Sequence, residues 1–186
     1  MLGAATPVTT REIAAAAVFA AMIAAGAYVA IPVGSVPFTL QTLVVLLAGM
    51  ALGPRIGALS VAAYLGLGLI APVYAGGTSG LGVLLGPTGG YLWGFVPAAV
   101  VAGLIAGGGR PSLARLTAAG LAGLCPIYAL GALWLALQLG VGPRSAVLLG
   151  VAPFVWADVL KAVAAALAAR ALVSLPLDLP ALQRDR

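Results

Sequence analysis

What most constrains this chain is a succession of apolar runs, each approaching the length of a membrane crossing and nearly free of charge inside. A crossing takes about 20 predominantly apolar residues. The first run, 13–31, is bounded by Arg11 and Glu12 before it and Pro32 after it. The second stops at Gly53-Pro54-Arg55, the third at Pro72, and the fourth at three glycines before Arg110-Pro111. The fifth contains Pro126. The last starts at Pro153, a residue suited to the first turn of a helix, and ends before Pro176. These stops predict helices over about 12–31, 38–53, 56–71, 90–107, 115–139 and 153–173. The expected fold is therefore all-α: a single transmembrane domain over 1–186 with six membrane helices and a short tail over 174–186.

Composition closes off the soluble alternatives. Of 186 residues, 63% are hydrophobic and 7% charged, against about 45–50% apolar and about 25% charged in an ordinary globular domain. A soluble chain this short has too little interior to bury that surface. A cytosolic enzyme, a secreted disulfide scaffold and a disordered chain are excluded. Cys125 is the single cysteine and there is no histidine, so neither an internal disulfide nor a usual zinc site is expected. The net charge is +5, but the basic residues stand singly between apolar runs and form no nucleic-acid groove. The lipid bilayer is the expected surrounding, with no metal and no cofactor.

Charge asymmetry orients the six helices. With the N-terminus inside, the inner segments hold Arg11, Arg55, Arg110, Arg115, Arg170, Arg184 and Arg186, and the outer ones hold only Arg144. This is the positive-inside pattern and predicts cytoplasmic termini. A cleaved signal peptide is the competing reading of the N-terminus, with Ala25-Gly26-Ala27 as its cleavage site. Its apolar run of 19 residues exceeds the usual core of about 7–15.

Asp158 and Lys161 lie inside the sixth run, where ionisable groups are costly and mark functional positions. Their i, i+3 spacing puts them on one helix face. A start near Pro153 puts Asp158 about 8 Å below the outer end, a depth suited to an outward-facing pocket. The alternative is a plain ion pair that helps pack the bundle. The Gly-rich stretch 76–90 reads either as a loop folded over the outer mouth or as a flexible linker; it contains no phosphate-loop motif. Thr39 and Gln41 open the second helix near the outer surface, where such residues commonly serve as caps or solvent contacts. Trp93, Trp134 and Trp156 lie near predicted helix ends, as interface anchors do; Trp156 and Tyr91 could instead stack on a ligand. Pairs of small residues four apart, Ala16/Ala20 and Ala17/Ala21, permit close approach by another helix.

Four segments resemble one known family. They are Val36-Pro37-Phe38-Thr39-Leu40-Gln41-Thr42, then Leu47-Ala48-Gly49-Met50-Ala51-Leu52-Gly53-Pro54-Arg55, then Gly86-Pro87-Thr88-Gly89-Gly90-Tyr91-Leu92-Trp93-Gly94-Phe95, and Pro153-Phe154 with Asp158 and Lys161. Together they resemble the BioY family, the biotin-binding S components of bacterial energy-coupling-factor (ECF) transporters. The resemblance implies six helices in a bacterial cytoplasmic membrane and a biotin pocket near the outer face. It implies a transmembrane coupling subunit and two ATPase subunits as partners, and leaves homo-oligomerisation open. Asp158 is implied as the acceptor for the ureido ring, and Lys161 as a polar contact or counter-charge. Thr39, Gln41, Gly82, Gly86 and Tyr91 are implied pocket residues. Ala16, Ala17, Ala20 and Ala21 are implied in docking to the coupling subunit.

The functional expectation is high-affinity biotin capture, energised by ATP hydrolysis on partners. The alternative is an ion-coupled or solitary carrier for another small vitamin-like ligand. A membrane enzyme is disfavoured, because one carboxylate within the spans and no histidine leave no catalytic set to assemble.

Overall fold

The computed structural model of the chain describes residues 7–174. The expected tail beyond that lies outside the described residues. The elements run α1 (Thr10–Tyr28), β1 (Ala30–Val33), β2 (Val36–Thr39), α2 (Gln41–Gly68), a 3-10 turn (Ala75–Gly77), α3 (Leu81–Leu85), α4 (Gly89–Ala106), α5 (Leu113–Leu139), α6 (Pro143–Gly150) and α7 (Val155–Ser174). α2 packs against α1, α4 and α7, while α5 packs against α4, α6 and α7. The core these helices enclose is mostly alanine, leucine and valine. Four helices, α1, α2, α4 and α5, are each long and apolar enough to cross a membrane, and the bent pair α6–α7, meeting at 57°, makes a fifth candidate.

α1 starts where a capping box fixes it. The Thr9 hydroxyl accepts the Glu12 amide, and the Glu12 carboxylate accepts the Thr9 amide at 2.8 Å. Two orphan amides of the first turn are thereby satisfied.

α2 is continuous only in name. Gly53 sits at φ 81°, ψ 171°, outside any helical conformation, and Pro54 follows it. A side chain at that positive φ is strained, so glycine is required there. The consequence is a reversal. A straight helix would separate Gln41 from Tyr64 by about 34 Å, yet their side chains are hydrogen-bonded at 2.6 Å. The halves 41–52 and 54–68 therefore lie side by side as an antiparallel hairpin. Their contact is backbone on backbone: a Cβ on Gly57 would stand 2.8 Å from Gly49 Cα, and one on Gly49 would overlap the Ala99 carbonyl of α4.

The expected all-α fold needs correction between the first two helices. α1 ends at Tyr28, and residues 30–39 form an antiparallel hairpin with Ala30 opposite Thr39 and Val33 opposite Val36. The two-residue turn is Gly34-Ser35, with Gly34 at φ 59°, the glycine-first pattern of tight hairpins. Phe38 and Thr39, expected in the second helix, are thus strand residues.

The Gly-rich segment is also built. Tyr74 pairs with Thr78, and the Gly80 amide donates to Gly68. The fully buried Tyr74 donates its hydroxyl to the Leu65 carbonyl at 2.6 Å, and burial pushes that hydroxyl's pKa up. Trp93, Trp134 and Gln138 donate to the carbonyls of Leu84, Gly86 and Leu85, clamping α3 onto α4 and α5.

The α2 reversal yields a stability prediction. Overpacking a close backbone contact costs about 1–3 kcal/mol. Gly57→Leu should lower the melting temperature in detergent, whereas Gly66→Leu, where nothing lies within 4 Å of the added Cβ, should not. Equal melting of the two variants would contradict the hairpin contact.

Candidate functional site

The site is built around one buried charge pair. α7 carries Asp158 in its first turn and Lys161 a turn later; the two are 5% and 7% exposed. Lys161 Nζ donates to Asp158 Oδ1 at 2.7 Å and to the Thr39 backbone carbonyl at 2.6 Å. It also stands 3.6 Å from the centroid of the Phe38 ring, a cation–π geometry. The second carboxylate oxygen, Oδ2, accepts the Tyr128 hydroxyl of α5 at 2.6 Å. Three elements therefore converge on the pair: α7 supplies it, α5 braces the acid, and the β hairpin braces the base.

Burying such a pair carries a desolvation cost of several kcal/mol per ion, offset only by good geometry and further hydrogen bonds. Those bonds leave capacity over. An ammonium has three N–H donors, and two are used here. A carboxylate has about four acceptor positions, and two are used.

The pair lines a partly open cavity. Its walls are largely apolar, with Phe38, Leu92, Phe95, Ile127 and Phe154 as the large surfaces. Thr42 and Thr88 also line it, and their hydroxyls have no hydrogen-bond partner among the described residues. Thr39 and Gln41 are locked: Thr39 Oγ1 donates to Gln41 Oε1 at 3.0 Å, and Gln41 Nε2 donates to Tyr64 at 2.6 Å. Tyr91 closes one side, its hydroxyl donating to the Gly150 carbonyl at 2.9 Å. A Cβ on Gly131 or Gly150 would overlap it.

Five of the seven residues expected to bind ligand, Asp158, Lys161, Thr39, Gln41 and Tyr91, thus surround one cavity. Gly82 and Gly86 do not line it. In their segment Val83 and Thr88 face the cavity instead, because the short α3 turns Gly82 outward. Trp156 is 80% exposed and is not a wall residue, so the stacking alternative fails for it.

Sequence reading missed Tyr128 and Phe38. A signal existed for the first: a buried tyrosine hydroxyl needs a partner, and the spans contain one carboxylate to accept it. Phe38 was hidden by the unrecognised strand.

The four α1 alanines divide. Ala16 and Ala20 are 3% and 5% exposed, packed inside the chain's own bundle. Ala17 and Ala21 are exposed, beside Val18 and Met22.

Comparison with known proteins gives one answer. Residues 3–176 match the model of the BioY family. A protein of Thermotoga maritima named biotin transporter BioY is 45% identical over 169 residues, covering 90% of this chain and 99% of that one. A probable biotin transporter BioY of Pyrococcus horikoshii is 42% identical over 163 residues, covering 87% and 96%. The crystal structure of an S-component for biotin from an ECF-type ABC transporter superposes with a TM-score of 0.79 at 28% identity. The match covers 89% of this chain and 92% of that one.

The pair should show strong thermodynamic coupling. Lys161→Leu leaves an uncompensated buried carboxylate and should cost about 3–5 kcal/mol. The double variant Asp158→Leu/Lys161→Leu should melt above Lys161→Leu alone in ligand-free detergent solution. A double variant melting below it would mean the charges do not depend on each other.

Proposed function

This chain belongs to the BioY family, and we propose that it captures biotin as the S component of an ECF-type transporter, with ATP hydrolysis on partner subunits driving uptake. The observation that carries the reading is the spare hydrogen-bonding capacity of Asp158 and Lys161 at the wall of an apolar cavity. Two carboxylate acceptor positions and one ammonium N–H remain. A cyclic urea offers the complement, two N–H donors flanking a carbonyl acceptor. Asp158 accepts one of the two N–H groups, and Lys161 donates to the carbonyl. Tyr128 holds Oδ2 in place, so it positions the acid. The thioether ring and alkyl chain of biotin suit the apolar walls. Thr42 and Thr88 supply free hydroxyls for the remaining polar end.

Residues Thr39, Gln41 and Tyr91 shape the cavity as supports, since their own polar groups are engaged within the protein. Gly82 and Gly86 act at most through the backbone of the segment that roofs it.

In this reading the chain crosses the membrane six times, because the halves of α2 count as two crossings and the bent pair α6–α7 as one. Both termini face the cytoplasm of a bacterial cell, following the arginine asymmetry. A transmembrane coupling subunit docks on the outward face of α1, at Ala17 and Ala21 rather than Ala16 and Ala20, and two ATPases energise the complex.

Two measurements test this. Labelled biotin should bind the purified chain one to one; Asp158→Asn should abolish binding, and Tyr128→Phe should weaken it about tenfold, the range of one hydrogen bond to a charged group. Unchanged affinity in Asp158→Asn would overturn the site. In cells, Ala17→Trp/Ala21→Trp should stop uptake while leaving binding to the purified chain intact. Uptake at the normal rate would remove that face from the docking surface.

A further inference from the structure

A second cavity opens at the far end of α7. Arg170 stands about 18 Å along the helix from Asp158. With Val173 it faces Arg110, Pro111 and Ser112 of the α4–α5 connection across about 780 Å³ of open space. Among the described residues neither guanidinium has a hydrogen-bond or ion-pair partner. The contrast with Arg115 is plain: its Nε donates to the Ile105 carbonyl at 2.6 Å and so closes the end of α4. Among the described residues no carboxylate lines the cavity.

Two guanidinium groups from separate elements, unneutralised among the described residues, form a divalent receptor for an oxyanion. Each presents a planar fork of donors matched to phosphate. The first turn of α5, a helix of 27 residues beginning beside Ser112, adds its positive end to the same place. The cavity also lies at the ends of apolar helices, the level at which lipid headgroups sit. Basic pockets between membrane helices at that level suit anionic headgroups.

We propose that Arg110 and Arg170 bind a phosphate group, carried by an anionic phospholipid headgroup or present as the free anion. The site is independent of the biotin cavity, shares no residue with it, and would stand if the biotin reading failed.

The test uses the full chain in nonionic detergent, titrated with short-chain phosphatidylglycerol, phosphatidylcholine and inorganic phosphate, with binding read by native mass spectrometry. Wild type and an Arg144→Gln control should bind phosphatidylglycerol equally. Arg110→Gln/Arg170→Gln should bind it about thirtyfold more weakly, as expected for two basic contacts at a headgroup. Phosphatidylcholine should not distinguish the proteins. Competition by millimolar inorganic phosphate would assign the site to the free anion as well; its absence would assign the headgroup. If the double variant elutes as aggregate, Arg170→Lys serves instead and should bind several-fold more weakly, since it keeps the charge and loses the fork. Phosphatidylglycerol affinity unchanged in the folded variant would overturn the proposal.

Discussion

The structure depends on a charge pair held where charge is least welcome. Asp158 and Lys161 are buried in a helical bundle whose core is otherwise almost wholly hydrocarbon. Attraction between the two does not by itself offset their desolvation. The remainder comes from outside α7: the Tyr128 hydroxyl, the Thr39 carbonyl and the Phe38 ring. That requirement explains the β hairpin. A helix at residues 36–39 would have spent the Thr39 carbonyl on its own ladder. An edge strand leaves a carbonyl available to an ammonium, and alternation along the strand lets the neighbouring Phe38 reach the same group.

The hairpin in turn depends on how α2 folds. Gln41 begins the helix directly after the strand, and its amide is held by Tyr64 from the returning half. That bond exists only because Gly53 reverses the chain and Gly49 and Gly57 let the halves touch. A substitution at residue 57 is therefore felt at the mouth of the cavity through Tyr64, Gln41 and Thr39. The chain of contacts is short and each link is a named hydrogen bond or backbone contact.

Much of this was legible in the sequence. The Gly53-Pro54-Arg55 stop, the Asp158/Lys161 spacing and the membrane class follow from charge, glycine and proline placement, which act locally. Thr39 and Gln41 enter as pocket residues through a resemblance, Tyr91 also as a stacking candidate, and the structure brings all three to the cavity. What stayed hidden has a common cause. Apolar strands and apolar helices look alike when a run is short, so the pattern assigns Ala30 and Ile31 to the first helix, 32–37 to a connection, and Phe38 and Thr39 to the second helix. In retrospect Val33-Gly34-Ser35-Val36 carries the signature, a glycine-first turn between β-branched residues. Ala16 and Ala20 failed as outward residues for a related reason. In an alanine-rich helix small residues occur on every face, and the sequence does not say which face meets the bundle.

The geometry also bears on why a capture subunit would need a partner. Several polar groups that shape the cavity are already fixed before ligand arrives: Gln41 by Tyr64, Asp158 by Tyr128, Tyr91 by Gly150. Such preorganisation raises affinity by removing ordering costs from the binding step. It acts chiefly by slowing dissociation. A pocket that holds its ligand for long is well suited to scarce substrate and poorly suited to delivery. To release, the site must lose one of its braces, and each brace is anchored to a different element of the bundle. The 186-residue chain contains no phosphate-loop motif to supply that work. Under the proposed function, tight capture by a rigid cavity and energy drawn from another subunit are two sides of the same physical arrangement.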